Sequence, residues 1–386
     1  MIPYGKQSIS DEDINAVVEV LKSDFLTQGP IVEKFEKAIA SYCNVKYAVS
    51  VSNATAALHL SCLALGLGRG KLAWTSPNTF VATSNAVLYT GAEVGFVDID
   101  PISYNLSLEN LKNRLSEAKS LGKLPDVLLP VHFSGQSCEM EEIHALSKEY
   151  GFQIIEDASH AVGAKYKNQP VGSCQYSDLT VFSFHPVKII TTGEGGLITT
   201  NRKDLYDLLI RLRSHGITRN SDLMTKETDG EWYYQQLELG YNYRLTEIQA
   251  ALGLSQLKRL DEFVTRRNLI AERYHNLLKD FPITLPTLLT KNYSSYHLYV
   301  IRIDVSKFKK THKQIFSDLR KNGIGVQLHY IPVHTQPYYQ SLGFKFGDYP
   351  VSEKYYEEAI SLPIYFGLKD AEQDKVVETL KDCLGL

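Results

Sequence analysis

The N-terminal half of the chain alternates short apolar runs with amphipathic segments of helical spacing. The apolar runs predict strands at 47–51, 72–75, 94–98, 126–131 and 153–157. The segments between them predict helices that reach 65, cover 80–90, begin at 108 and cover 140–150. Because strands and helices alternate through short connections, we predict a mostly parallel sheet covered by helices, with ligands at the carboxyl ends of its strands.

Both ends of the chain add elements to this pattern. Helices are predicted at 14–21 and 32–42, separated by a turn at Gly29 and Pro30. The C-terminal part predicts one long helical stretch at 246–278, strands at 299–304 and 325–327, and helices at 313–321 and 372–383. We therefore expect a large α/β domain over residues 1–250 and a smaller α/β domain over residues 251–386.

Composition and charge narrow the classes of function. The 386 residues are 44% apolar and carry a net charge of −3, which suits a globular protein and argues against a nucleic-acid partner. No apolar run has the length of a signal-peptide core or a membrane span, so we expect a cytoplasmic protein without a membrane partner. The five cysteines lack the spacing of metal ligands, and we expect them to be reduced and no metal to bind.

Lys188 is the first candidate for chemistry. It lies in a loop with His185, between the apolar runs 179–184 and 197–200. Burial of an amine lowers its pKa and leaves a fraction of it free to attack a carbonyl, which suits Schiff-base chemistry. The alternative is a solvated lysine in a hairpin-like connection, and the loop alone does not exclude it.

Two strand ends offer partners for such a lysine. The strand at 47–51 runs through a short polar turn into a helix, and the free amides of a helix N-terminus bind phosphate, although many such junctions bind nothing. Asp157 leaves a buried strand and needs a cation or a hydrogen-bond donor. It either keeps the ring nitrogen of a pyridine cofactor protonated or caps the segment that follows it.

Five motifs, in order along the chain, resemble those of the DegT/DnrJ/EryC1/StrS sugar aminotransferases. They are Asn53–Leu58, Thr79-Phe80, Glu156–His160, Phe182–Lys188 with Gly193–Gly196, and Gly240–Leu245. The resemblance extends from Tyr4 to the C-terminal helix. It implies fold type I of the pyridoxal-phosphate enzymes, the fold of aspartate aminotransferase, with pyridoxal 5'-phosphate as the cofactor.

The resemblance also implies roles for particular residues around the cofactor. Lys188 attaches covalently to the cofactor and then moves protons, and its presence favours transamination because relatives with histidine at this position are dehydratases. The other implied cofactor contacts are the amides of Ala54, Thr55 and Ala56, the hydroxyl of Ser183, the ring of Phe80, and the side chains of Asp157 and His160. Asn242 is implied to reach the phosphate of a second subunit, which predicts a homodimer; the alternative is a turn residue.

The same resemblance predicts a substrate. The segments Arg213–Gly216 and Gln327–Tyr330 favour the transaminases of pseudaminic-acid biosynthesis, which aminate a UDP-linked 4-keto-6-deoxy-N-acetylhexosamine, with L-glutamate as the expected donor. The implied substrate contacts are Tyr4, Asp24, Phe25, Leu26, Thr27, His185, Gln327, Leu328, His329 and Tyr330. Two further hypotheses are a relative that acts on another nucleotide keto-sugar and a cofactor-binding regulator without turnover. The aromatic segment 221–238 either covers the substrate or is an exposed insertion.

Overall fold

The computed structural model describes residues 1–386, and a seven-stranded sheet lies at its centre. The strands are β1 (Tyr47–Val51), β2 (Leu72–Thr75), β3 (Glu93–Phe96), β4 (Val127–Leu129), β5 (Gln153–Asp157), β6 (Lys165–Tyr166), β7 (Gln169–Pro170), β8 (Leu179–Ser183), β9 (Gly196–Thr200), β10 (Ile217–Thr218), β11 (Gln235–Gln236), β12 (Asn292–Tyr293), β13 (Tyr299–Arg302) and β14 (Ala359–Leu362). The central sheet has the order β1-β9-β8-β5-β4-β2-β3, and only β9 runs antiparallel to its neighbours. The predicted mostly parallel sheet is confirmed.

Helices cover both faces of this sheet. The helices of the whole chain are α1 (Asp11–Leu21), α2 (Pro30–Cys43), α3 (Ala54–Ala64), α4 (Val81–Tyr89), α5 (Leu108–Leu121), α6 (Met140–Tyr150), α7 (Lys203–Leu212), α8 (Glu247–Leu257), α9 (Leu260–Leu278), α10 (His312–Lys321), α11 (Pro337–Ser341), α12 (Pro350–Glu358) and α13 (Asp370–Leu384). Successive strand residues point to opposite faces. In β4, Val127 and Leu129 pack with α3, α4 and α7, whereas Leu128 packs with α5 and α6.

Two predicted C-terminal elements are wrong. The stretch 246–278 forms two helices, because the backbone at Arg259 leaves the helical region between α8 and α9. No glycine or proline marks this break, and the apolar spacing continues through it. The sequence therefore predicts one helix where the structure has two. The predicted strand at 325–327 does not form. Gly325 instead donates its amide hydrogen to the carbonyl of Ile2 at 2.7 Å, and Gln327 makes a single bridge to Ser361.

The C-terminal part has its own apolar core, built from α9, α10, α13 and the two-stranded sheet of β13 and β14. Ile2, from the other end of the chain, also packs into it. The division at residues 250 and 251 stays a prediction. No helix is both long and apolar enough to cross a lipid bilayer, and all five cysteines are free and buried.

A buried ion pair fixes the strand that leads into α3. Glu36 of α2 is 7% exposed and accepts hydrogen bonds from the amide and the hydroxyl of Ser50, at 2.8 and 2.7 Å. It also pairs with Arg213, which donates to the carbonyl of Ser50 at 2.7 Å. β1 is thereby tied to α2 and to the end of α7.

The Glu36→Ala variant leaves a largely buried guanidinium and a buried serine without their partner, so we expect its free energy of unfolding to fall by about 3 kcal/mol. Urea denaturation measures this loss. The adjacent Lys37→Ala is the control, since it removes only an exposed pair with Glu33 and leaves the unfolding midpoint unchanged. Equal midpoints for the two variants would contradict a stabilising role for Glu36.

Candidate active site

A cavity of about 1020 Å³ opens at the carboxyl ends of β5 and β8. Its walls come from the start of α3, the turn before α4, the loops after β5 and β8, the N-terminal segment and two C-terminal segments. The predicted site residues that line it are Tyr4, Ala54, Thr55, Ala56, Phe80, Asp157, His160, Ser183, His185, Lys188, Gln327, Leu328, His329 and Tyr330. Five predicted residues lie outside it: Asp24, Phe25, Leu26, Thr27 and Asn242.

Lys188 lies in the connection between the antiparallel strands β8 and β9 and points into this cavity. Hydrogen bonds from the amides of Phe184 and Thr192, to Gly195 and Phe184 respectively, hold the base of the connection. Burial lowers the pKa of Lys188 to about 8, although the nearby carboxylate of Asp157 acts in the opposite direction. The alternative interpretation of the sequence was a solvated lysine in a hairpin-like connection. The connection is hairpin-like, but the pKa of its lysine is lowered by burial.

Asp157, at the end of β5, is held by three donors. Its Oδ2 accepts a hydrogen bond from the hydroxyl of Thr83 at 2.6 Å, and its Oδ1 accepts from the amide and the hydroxyl of Ser159, at 3.1 and 2.6 Å. The next element after Asp157 is the strand β6 and not a helix, so the alternative of a helix N-cap is wrong. The side chain is 4% exposed and has a fixed direction.

The N-terminus of α3 presents free amides to the cavity. Asn53 caps the helix, and its Oδ1 accepts from the amide of Ala56 at 2.8 Å. The amides of Ala54 and Thr55 precede the first intrahelical hydrogen bonds and have no such partner. A Cβ at Gly196 would lie 2.4 Å from the carbonyl oxygen of Asn53, so only glycine lets β9 pass so close to this turn.

These groups fit pyridoxal phosphate. Two free amides at the positive end of a helix suit a phosphate, and Ser183 lines the same cavity. The fixed carboxylate of Asp157 suits a pyridinium nitrogen, and the amine of Lys188 suits an aldehyde. The amide of Ala56 is already used by Asn53, so Ala54 and Thr55 are the better donors.

Three buried histidines surround Lys188. Burial, followed by the charge of Lys188, lowers the pKa of His329 to about 3 and the pKa values of His160 and His297 well below 6.5. His160 accepts from the amide of Ser134 at 3.2 Å and lies 2.9 Å from the hydroxyl of Tyr330. All three imidazoles are therefore neutral near pH 7.

The predicted substrate residues separate into two groups. Tyr4 and His329 lie together, with 5.4 Å between their ring centroids, and Phe80 lies 6.0 Å from the ring of Tyr330. The segment 24–27 is exposed and lies beside α8, where Thr27 pairs with Thr246. Within a single chain, this segment does not line the cavity.

Two polar residues that follow other strands of the sheet, and the segment 221–238, do not line the cavity. Asp98, at the end of another strand, accepts from the amides of Val351 and Ser352 at the start of α12. His132 is buried against Glu156 at 2.6 Å. The segment 221–238 contains the strand β11, with Trp232 74% exposed, and it does not line the cavity.

The polar residues of the site that sequence reasoning missed include Thr83, Ser159 and His297. Thr83 lies in the first turn of α4, and its hydroxyl lies 2.7 Å from that of Thr79, which precedes the helix. Ser159 had a signal, because an aspartate side chain often accepts a hydrogen bond from the backbone amide two residues later. His297 had none, since the contact that brings it to Lys188 spans 109 residues of sequence.

The family model of the DegT/DnrJ/EryC1/StrS aminotransferases matches residues 7–381. The chain belongs to this family. The family predicted from the motifs is thus confirmed, and the protein is an aminotransferase.

Relatives and a solved structure agree with this assignment. The aminotransferase is 39% identical over 379 residues to the UDP-4-amino-4,6-dideoxy-N-acetyl-beta-L-altrosamine transaminase of Campylobacter jejuni, with 96% of this chain and 95% of the relative covered. It is 38% identical over 384 residues to the spore coat polysaccharide biosynthesis protein SpsC of Bacillus subtilis, with 99% and 96% covered. The structure of Helicobacter pylori PseC, described as an aminotransferase involved in the biosynthesis of pseudoaminic acid, superposes with a TM-score of 0.91 at 32% identity, with 100% of this chain and 99% of PseC covered. These matches confirm the predicted fold class.

The lowered pKa of Lys188 gives a direct prediction for the aminotransferase freed of cofactor. We expect the rate of acetylation of Lys188 by acetic anhydride, followed by peptide mass spectrometry, to rise with pH with a midpoint of about 8. Because Asp157 raises this pKa, Asp157→Asn shifts the midpoint to lower pH. Exposed lysines of the same digest are the internal control. A midpoint of Lys188 equal to theirs would refute its burial.

Proposed function

We propose that this aminotransferase binds pyridoxal 5'-phosphate and transfers an amino group from L-glutamate to the keto carbon of a UDP-linked 4-keto-6-deoxy-N-acetylhexosamine. The product is a 4-amino-4,6-dideoxy sugar nucleotide for pseudaminic-acid biosynthesis. The observation that carries the proposal is that Lys188, Asp157 and the free amides of α3 line one cavity. The names of the Campylobacter relative and of PseC support the choice of sugar.

The cofactor site follows from the groups already described. Ala54 and Thr55 donate amide hydrogens to the phosphate, assisted by the hydroxyl of Ser183, and Asp157 binds the ring nitrogen. When bound, the cofactor supplies an electron sink for bond changes at the carbon that gains or loses the amino group. Asp157 stays aligned through this chemistry because Thr83 and Ser159 hold both of its oxygens.

Lys188 moves the protons of the reaction. With a pKa of about 8, its amine is present in both protonation states near neutral pH, so it can accept a proton at one carbon and return it at another. The neighbouring histidines are neutral in this range and do not add positive charge that would repel the ammonium form. Lys188 is thus the group suited to act as both base and acid.

The substrate occupies the outer part of the cavity. Tyr4, His185, Gln327, Leu328, His329 and Tyr330 line the cavity and offer aromatic surfaces, imidazoles and an amide for a nucleotide sugar. In the proposed division, residues 1–250 hold the cofactor, and residues 251–386 supply the segment 327–330. The sugar then binds between the two proposed domains.

We further propose a homodimer in which Asn242 reaches the cofactor phosphate of the partner subunit. Asn242 is exposed and lies outside the cavity of its own chain. Nearby, Leu239 is 80% exposed and Trp232 is 74% exposed, and a second copy of the chain would bury such apolar surface. The exposed segment 24–27 is proposed to contact the substrate in the same assembly.

A second candidate function is the amination of a different nucleotide keto-sugar. SpsC matches this chain as well as the Campylobacter relative does, and its name refers to a spore coat polysaccharide. A panel of nucleotide keto-sugars, assayed with glutamate and mass spectrometry of the products, separates the two candidates. Preferred turnover of a sugar other than the 4-keto-6-deoxy-N-acetylhexosamine would select the second.

The Lys188→Ala variant tests the reaction class. We expect it to bind pyridoxal phosphate only reversibly and to lose turnover by a factor of about 10² or more, because no other amine lines the cavity. Borohydride treatment and mass spectrometry measure covalent attachment in the wild-type protein and its absence in the variant. Lys6→Ala, at an exposed lysine outside the cavity, is the control. Unchanged turnover in Lys188→Ala would overturn the assignment.

Mixing two inactive variants tests the shared site. In a heterodimer of Lys188→Ala and Asn242→Ala, one of the two sites keeps both wild-type residues if Asn242 acts across the interface. Random re-association of equal amounts then restores about a quarter of the wild-type turnover. If Asn242 serves its own chain, the mixture stays as inactive as its components, and the proposed assembly is wrong.

A further inference from the structure

The imidazole of His297 has one polar partner, the amine of Lys188. Nε2 of His297 lies 3.5 Å from Nζ of Lys188, and its Nδ1 is buried without a hydrogen-bond partner. The two other histidines of the cavity differ, because His160 is paired with a backbone amide and His329 with a serine hydroxyl. A histidine retained only for packing is normally paired in the same way. The single polar contact of His297 therefore points to a role at Lys188.

Two buried features fix the backbone that carries His297. On one side, the guanidinium of Arg267, 2% exposed, donates to the carbonyls of Tyr296 and His297 at 3.1 and 3.4 Å. On the other side, the amide of Ser295 donates to the carbonyl of Gly135 at 3.1 Å. A Cβ at Gly135 would lie 2.6 Å from Oγ of Ser295, so glycine is required for this approach. The chain thus holds this histidine in one position relative to Lys188.

The surroundings of His297 make it a hydrogen-bond acceptor. Burial, followed by the charges of Lys188, His160, Arg267 and His329, lowers the pKa of His297 well below 6.5. A neutral imidazole has one unprotonated nitrogen, which can accept a hydrogen from either form of an amine. Its Nε2 is the nitrogen within reach of Lys188.

We propose that His297 is a positioning residue, which accepts a hydrogen bond from the amine of Lys188 and keeps it directed into the cavity whenever that amine is not covalently bound. The inference rests on the proposed function, in which Lys188 accepts and returns a proton. A lysine side chain has four rotatable bonds, and an acceptor at a fixed place restricts where its amine lies. His297 thus brings part of the C-terminal half of the chain to the reacting group.

The first test uses the full-length protein freed of cofactor and measures the pH midpoint of Lys188 acetylation. A hydrogen bond to the charged form of an amine raises its pKa. We therefore expect His297→Leu, which fills the space but accepts nothing, to move the midpoint below about 8. His297→Gln, which offers a carbonyl oxygen, restores it. Tyr296→Phe is the matched control, since Tyr296 belongs to the same segment but does not line the cavity.

The second test uses the enzyme loaded with cofactor. We expect His297→Leu to slow the half-reaction with glutamate by up to about 100-fold, with the KM for the sugar nucleotide unchanged and partial recovery in His297→Gln. Thermal unfolding checks that the variants fold. If His297→Leu does not fold, His297→Asn takes its place, because the side chain of asparagine is too short to reach Lys188.

Each outcome decides between the proposals. A midpoint and a rate in His297→Leu equal to those of Tyr296→Phe would refute the positioning role. The two proposals can also fail separately. If His297→Leu shifts the acetylation midpoint but the wild-type enzyme aminates no keto-sugar, the proposed substrate is refuted and the contact between His297 and Lys188 is still supported.

Discussion

The partial burial of an amine near a fixed carboxylate is the constraint on which the rest of this structure depends. An amine removed from water favours its neutral form, and Lys188 reaches a pKa of about 8 in this way. A carboxylate left alone beside it would reverse that effect, as Asp157 partly does. Three donors from Thr83 and Ser159 occupy the oxygens of Asp157 and fix its direction. The site therefore separates a reactive amine from a firmly held anion within one cavity.

The sheet explains why these two groups meet. β5 and β8 are parallel neighbours; Asp157 is the last residue of β5, and Lys188 lies in the connection that follows β8. The antiparallel strand β9 then returns beside β8 and passes the N-terminus of α3, where Gly196 allows the approach. One local arrangement thus brings together an amine, an acid and free helix amides. The topology supplies the proximity, and the side chains supply the chemistry.

Much of this arrangement was predictable from local sequence patterns. The bounds of β1, β2 and β5 follow directly from apolar runs, and the motifs around Asn53, Asp157 and Lys188 indicated the site. The failures have a common cause. The break at Arg259 carries no glycine or proline, and the segment 325–327 pairs with Ile2 from the other end of the chain. Contacts of this kind depend on the assembled fold, which a window of sequence does not contain.

The C-terminal contribution to the site shows this limit most clearly. His297 reaches Lys188 because Arg267 and Gly135 both contact its segment, and these three residues are far apart in sequence. Burying an arginine is costly, since burial lowers the pKa of Arg267 to about 10 and leaves its Nε without a partner. Packing alone does not explain a guanidinium at this place, because an apolar side chain would fill the same space without the desolvation cost of a buried charge. The placement of a charged group here is explained by the three carbonyls that it orients, those of Tyr296, His297 and Ile364, one of which belongs to the histidine beside the reacting amine.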